Sequence, residues 1–332
     1  MNNQLTIAFL PASNNGLSFR GSEVAMLDYM KFSESLLGCK CILCLGKNSY
    51  CEPTVLKLFA RFQTVRFENE DDLDSQLVDL RVDALYTIRA SPLNGVKLKK
   101  IPMLVHAVYD TNPRGNELVC AAVSQSVAEA DEKGPKLFVP HMINLANSSA
   151  DYRSALKIPA DALVIGRHGG ADTWNLDIAK EALLKILDKR PDIWFLFAVR
   201  PLILHNVKHP RVLCLECFAD PIVKRKFINT LDVFIHAQSM GETFGLSCGE
   251  ASQANKPVIV WDGGSCKEHL RILGSKAIKY SSADELINIF MRLDKSDIPT
   301  HDWKAYDEYS PEKIMKIFDR IFLDPVRKLK DI

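Results

Sequence analysis

No apolar run in this 332-residue chain is long enough to span a membrane. An excess of one charge is also missing: 42 Lys and Arg stand against 41 Asp and Glu, a net charge of +1. That argues against a chain that holds nucleic acid through its phosphates. No Gly-x-Gly-x-x-Gly follows the first apolar run, residues 5–10, so a nicotinamide oxidoreductase is not expected. No repeat recurs at solenoid spacing, and no segment is of low complexity. The start has neither the basic region nor the long apolar stretch of a signal peptide and reads as a first strand. The nine cysteines are odd in number and scattered through apolar segments. This fits thiols serving as small core residues in a reducing compartment, so a cytoplasmic protein is expected.

What is present is ordinary for a globular protein: 47% apolar and 25% charged residues, in a length that suits two domains. Two Cys-x-x-Cys pairs, Cys41/Cys44 and Cys214/Cys217, admit a zinc or redox reading. Both lie in strand-like runs, where positions three apart face opposite ways, so buried thiols are the expected reading.

Along the chain, apolar strand runs alternate with helical periodicity, which predicts parallel α/β sheets. In the first half, strands are expected at residues 5–10, 40–45, 84–88, 103–107 and 121–124. Helices are expected at 22–37, 54–62 and 71–80, and residues 13–21 form a polar, glycine-containing loop. A small, polar stretch, Asn147-Ser148-Ser149-Ala150-Asp151, reads as a linker. The second series has strands at 162–166, 194–198, 212–215, 233–236, 257–261 and 277–280, with helices at 176–187, 221–230 and 283–293. A last amphipathic helix begins at Ser310-Pro311-Glu312, with an N-cap serine and a first-turn proline, and is expected to end near Leu323, before Pro325. The reading is of two doubly wound sheets: a domain over residues 1–147, joined by a returning helix over 310–332, and a domain over 148–309. Ligands of such sheets bind beyond the carboxyl ends of the strands, so two facing sheets would share one cleft.

The densest chemistry lies in Gly241-Glu242-Thr243-Phe244-Gly245-Leu246-Ser247-Cys248-Gly249-Glu250-Ala251, followed by Lys256-Pro257-Val258-Ile259 and Gly263-Gly264. The two glutamates stand eight positions apart. One continuous helix would put both on roughly one face. If Phe244 and Gly245 instead turn into a helix at Leu246, the free N–H groups of that helix make an anion site beside Glu242. Either way, phosphates for amides and hydroxyls for carboxylates suit a sugar nucleotide.

On these residues the chain resembles the retaining GT-B glycosyltransferases of family GT4, and the resemblance runs through most of its length. Gly166-Arg167 matches the family's Gly-Arg. Arg20-Gly21-Ser22-Glu23 looks like its glycine-rich loop, and Pro102 to His106 like its strand ending in an active-site histidine. Val123-Ser124 and Val139-Pro140 stand where the family has its last two first-domain strands. The resemblance implies an α/β fold of two Rossmann-like domains facing across a cleft. It implies transfer, with retention, of a sugar from a nucleotide-diphosphate donor to a glycan or other hydroxyl acceptor. Mannose from GDP-mannose is the donor it favours over UDP-glucose or UDP-N-acetylglucosamine.

In that reading His106, Glu242 and Arg167 are the catalytic residues, with Arg167 the clamp on the diphosphate. Arg20, Gly21, Phe218, Lys224, Thr243, Phe244, Gly245, Leu246, Ser247 and Glu250 bind the donor. Glu242 takes hydroxyls of the donor sugar and Glu250 those of the ribose, while Phe218 and Lys224 line the base pocket. No cofactor and no metal are expected, since no Asp-x-Asp closes a predicted strand as in the other large glycosyltransferase fold. The family's lysine shortly after the arginine is missing from His168-Gly169-Gly170-Ala171-Asp172-Thr173-Trp174-Asn175, which leaves Arg20 and Arg200 as substitute cations. Lys97/Lys99/Lys100 and Arg327-Lys328-Leu329-Lys330 read first as solvated faces, with contact to an acidic membrane surface as the alternative. Two other functions remain open: a nucleotide-sugar epimerase on the same fold, and a degenerate binding protein without turnover.

Overall fold

The computed structural model describes residues 4–12, 16–90, 95–111, 117–130 and 136–331. Ser13 to Asn15 of the expected glycine-containing loop lie outside the described residues. The chain divides into two compact units, residues 1–142 with 308–332, and residues 143–307.

The first unit opens with β1 (Thr6–Leu10), α1 (Gly21–Ser35), β2 (Lys40–Gly46) and α2 (Pro53–Leu58). It continues through β3 (Gln63–Phe67), α3 (Glu70–Asp79), β4 (Ala84–Arg89), β5 (Met103–Ala107), β6 (Glu117–Ala122) and α4 (Gln125–Ala130). Its six strands are parallel, in the order β3-β2-β1-β4-β5-β6. The inner strands β1, β4 and β5 are almost wholly buried, as expected of a parallel sheet covered on both faces.

The second unit runs through β7 (Leu163–His168), α5 (Asp177–Lys189), β8 (Ile193–Ala198), β9 (Val212–Leu215), α6 (Pro221–Thr230) and β10 (Val233–Ile235). It continues with β11 (Gly241–Glu242), α7 (Leu246–Gln253), β12 (Val258–Trp261), β13 (Cys266–Lys267), α8 (Glu268–Leu273), β14 (Ala277–Tyr280) and α9 (Ala283–Arg292). Its main sheet has the order β14-β12-β10-β7-β8-β9, again parallel. This is the same doubly wound order as in the first unit. In both, the winding reverses beside the first strand, between β1 and β4 and between β7 and β10.

The chain then returns to the first unit through α10 (Pro311–Phe318), one π-helical stretch (Asp319–Leu323) and α11 (Asp324–Lys330). Sequence reading ends the last helix before Pro325, but the helix continues. Pro325 sits in the first turn of α11, directly after the π-helical stretch, whose wider turn absorbs the change of register that its missing N–H imposes. Other differences are local. Residues 63–67 form an edge strand that the expected run of helices passes over. Only Val65 and Phe67 of this strand are buried, so it carries no continuous apolar run. Val139 lies beside an isolated bridge between Ala122 and Phe138, not in a strand.

The returning segment is held by aromatic rings. Phe318 stacks on Tyr29 at 4.9 Å between centroids, and Phe322 meets Tyr86 edge-on at 5.5 Å. Lys330 pairs with Asp83, and Arg327 with Asp319 and Asp324, so these tail cations are engaged within the unit. Among the described residues no helix is long and apolar enough to cross a membrane. All nine cysteines are free thiols.

Phe322 is fully buried, so Phe322→Ala should destabilise the protein by about 3–5 kcal/mol through the cavity it leaves. Chemical denaturation of the two proteins measures this. A loss under about 1 kcal/mol would mean that the segment after α10 is not packed on the first sheet.

Candidate functional site

The winding of the second sheet reverses between β7 and β10, and the carboxyl ends of these two strands carry Arg167 and His168 on one side and His236 on the other. Arg167 is 6% exposed. Its guanidinium donates to the carbonyls of His168 and Gly170 and, at 2.7 Å, to Thr173 Oγ1. Among the described residues it makes no ion-pair contact with a carboxylate. Burial lowers its pKa to about 10, against the opposing influence of Glu242, Cys248 and Asp172, so it remains a cation at neutral pH. The guanidinium occupies the place of a side chain at position 169. A Cβ on Gly169 would lie 2.0 Å from Arg167 Nη2, and φ there is +139°. Only glycine leaves this room.

The Glu242 motif folds as the second of the two expected alternatives. Glu242 belongs to β11, which pairs with β13, and Phe244-Gly245 turn the chain into α7 at Leu246. The N-cap Gly245 is left-handed, with φ +85°, and among the described residues no side chain caps the first turn of α7. The amides of Leu246 and Ser247 therefore open the helix without an internal acceptor. Phe244 is buried, and its carbonyl accepts from Tyr306 Oη at 3.1 Å. Thr243, Leu246 and Ser247 are half-buried.

Glu250 lies on α7 and is buried. Its Oε2 accepts from His168 Nε2 at 2.6 Å, and its Oε1 pairs with Lys224 of α6. Burial would raise the Glu250 pKa, but Lys224 and His168 outweigh it and hold the carboxyl down to about 2. Lys224 thus stands at Glu250 in this structure. Phe218 packs its ring against that of Phe227 of α6 at 5.5 Å, and the His168 ring meets the same Phe227 ring edge-on at 6.1 Å.

Glu242 lies in different surroundings. Its side chain is 30% exposed, and Oε1 lies 3.5 Å from Nε2 of the buried His236. The His236 ring packs on that of His269, with centroids 4.6 Å apart. Burial would raise the Glu242 pKa, but His236, His269 and Arg167 together bring it below its ordinary value. Sequence reading missed His168, His236 and His269. His236 ends a buried strand run, which is a usable signal; nothing local marks His269, which approaches only through the fold of α8.

Arg20, Gly21 and His106 belong to the first unit. Arg20 is the exposed N-cap residue of α1, and Gly21 is its first helical residue. His106 is fully buried, with both ring nitrogens engaged: Nδ1 with Tyr86 Oη at 2.6 Å and Nε2 with the Val139 carbonyl at 2.7 Å. Burial lowers its pKa to about 4. The catalytic role expected of His106 therefore has no free ring nitrogen behind it, because the strand end that carries it lies under the aromatic cluster. Arg200, one expected substitute cation, donates instead to the carbonyls of Leu204 and Val207. Among the described residues no group of three or more His, Cys, Asp or Glu side chains could hold a metal ion.

No family model and no curated protein matches the chain. Solved structures do. The Anabaena protein HepE, in complex with UDP and glucose, matches with a TM-score of 0.65 at 16% identity, over 99% of each chain. A glycosyltransferase from Rickettsia africae matches with a TM-score of 0.64 at 14% identity, over 99% of this chain and 97% of that one. The UDP-GlcNAc 2-epimerase of Neisseria meningitidis, bound to UDP-GlcNAc, matches with a TM-score of 0.59 at 13% identity, over 96% of this chain and 100% of that one. At such identities the likeness is one of fold: an α/β chain of two doubly wound parallel sheets, the GT-B fold expected from the sequence.

Glu250 ties the site to pH. Its folded pKa of about 2 lies below its ordinary 4.5, so the stability it contributes is complete above about pH 4.5 and is lost as pH falls towards 2. Glu250→Gln should cost about 3 kcal/mol at neutral pH and flatten the acid limb of the stability curve over that window. Thermal melts of both proteins between pH 2 and pH 7 would read this, and parallel acid limbs would refute it.

Proposed function

We propose that this chain is a glycosyltransferase that takes its sugar from a nucleotide-diphosphate donor, with the diphosphate held in the second unit by Arg167 and the opening turn of α7. One observation carries this reading: among the described residues, a buried guanidinium without carboxylate contact and, in the same unit, a helix start without a side-chain cap. A permanent cation taken out of water is costly unless an anion completes it, and an uncapped helix start offers N–H groups to the same anion. Both lie at the end of the second sheet where such folds take ligands.

The chemistry follows from the charges. As the anomeric carbon–oxygen bond breaks, negative charge grows on the departing diphosphate, and preorganised donors that meet it lower the barrier. Arg167 and the amides of Leu246 and Ser247 are the donors we assign. Glu242 accepts from hydroxyls of the transferred sugar. Glu250, held by Lys224 and His168, accepts from the ribose, which puts Lys224 beside the ribose and leaves Phe218 for the base. We assign His106 to the packing of the first unit. Transfer with retention, by attack from the leaving-group face, is the course that the family resemblance implies. No step in this scheme calls on a metal ion.

For the donor, a uridine nucleotide is now preferred to GDP-mannose, because HepE and the Neisseria epimerase were solved with UDP compounds. The second reading, a nucleotide-sugar epimerase, is kept for the same reason: an epimerase shares the fold.

A thermal-shift panel of UDP, GDP, ADP, their common sugars and NAD, with and without magnesium, tests the donor. A shift with UDP or GDP compounds that is indifferent to magnesium is expected. Arg167→Ala should weaken binding of the diphosphate by about 100-fold while the protein stays folded. Glu242→Gln should abolish transfer. Undiminished binding by Arg167→Ala would refute the clamp. Conversion of the nucleotide sugar to its epimer in the absence of any acceptor would establish the second reading, and binding without any turnover would leave a degenerate binding protein.

A further inference from the structure

Among the described residues, the two buried imidazoles beside Glu242 make no hydrogen bond of ordinary geometry on any of their four ring nitrogens. Buried polar groups without partners are rare in folded proteins, and each calls for a reason. His236 is held firmly. Its N–H donates to the Ile259 carbonyl at 2.8 Å, and its own carbonyl accepts from Tyr280 Oη at 2.9 Å. Its ring is backed by that of His269, 4.6 Å away. His269 in turn fits under the Glu242 turn: a Cβ on Gly245 would lie 2.8 Å from His269 Cβ, and one on Gly241 would lie 3.4 Å from its Cε1. Backbone, ring stack and turn thus fix the direction of His236 Nε2, which faces Glu242 Oε1 at 3.5 Å.

We propose that His236 is a positioning residue for Glu242: its imidazole donates Nε2–H to Oε1 when ligand binds, and so leaves Oε2 aimed at a hydroxyl of the donor sugar. The carboxylate has to move about half an ångström to reach hydrogen-bonding distance, the kind of tightening that sites undergo on binding. Glu242 is partly exposed and free to make that move, whereas His236 is not. Burial and the neighbouring His236 lower the His269 pKa to about 4, so His269 is neutral near pH 7.

This inference rests on the reading of Glu242 as a ligand of the donor sugar, and the test separates the two. Calorimetric titrations with UDP and with UDP-glucose, repeated with GDP and GDP-mannose, would compare the wild type with His236→Asn and His236→Gln. Glutamine can place an N–H near the position of Nε2, whereas asparagine falls short of it. His236→Asn should bind the bare diphosphate like the wild type and the nucleotide sugar about tenfold more weakly. His236→Gln should restore most of that loss. Equal weakening of diphosphate and sugar nucleotide by His236→Asn would mark a merely structural role and overturn the proposal. So would unchanged binding of both, or a failure of glutamine to rescue. A wild type that binds neither diphosphate nor sugar nucleotide would refute the donor-site reading itself, and this proposal with it.

Discussion

A guanidinium removed from water with no carboxylate against it among the described residues is the constraint around which the second unit is arranged. Desolvating such a cation is expensive, and three carbonyl or hydroxyl acceptors offset only part of that cost. The local chain is shaped to allow it. Gly169 leaves the space that the guanidinium fills, Thr173 supplies the shortest contact, and Trp174 is buried edge-on to Phe197 as the loop turns back into the core. Replacing Gly169 or Thr173 would disturb the cation before it disturbed the sheet. The arrangement is coherent if an anion completes the site, and the uncapped start of α7 belongs to the same unit.

The two glutamates of one motif end in opposite electrostatic situations. Glu250 is buried, paired with a lysine and hydrogen-bonded by an imidazole from two other elements, so it is fixed in place and strongly acidic. Glu242 is partly exposed, with two imidazoles behind it and the Arg167 charge nearby. Spacing along the chain made them look equivalent. Environment assigns one to a rigid, charge-balanced position and leaves the other able to adjust to a ligand, in the way that paired carboxylates elsewhere take different roles from different surroundings.

Much of the fold was legible because parallel strands buried on both faces appear as short continuous apolar runs. Residues 103–107, 212–215 and 277–280 were read to the residue, and α6 likewise. The elements that were missed lack that signal. β3 is an edge strand with one buried face, while α4 and α8 are six-residue helices too short for a period to show. Pro325 looked like a helix end because one-dimensional rules do not foresee a π turn that shifts the register ahead of it.

The sequence by itself determined the α/β class, the two doubly wound sheets and the candidacy of Arg167, Glu242 and Glu250. All of these depend on local pattern: apolar runs, caps, and glycines at fixed offsets. Tertiary structure alone decided which side chains meet. It placed Lys224 and His168 on Glu250, backed His236 with His269, and closed both ring nitrogens of His106 inside the first unit. Those outcomes depend on contacts between residues 20 to 82 positions apart in the chain. Electrostatic environment and hydrogen-bond partnership are set by such contacts, and no periodicity along the chain encodes them.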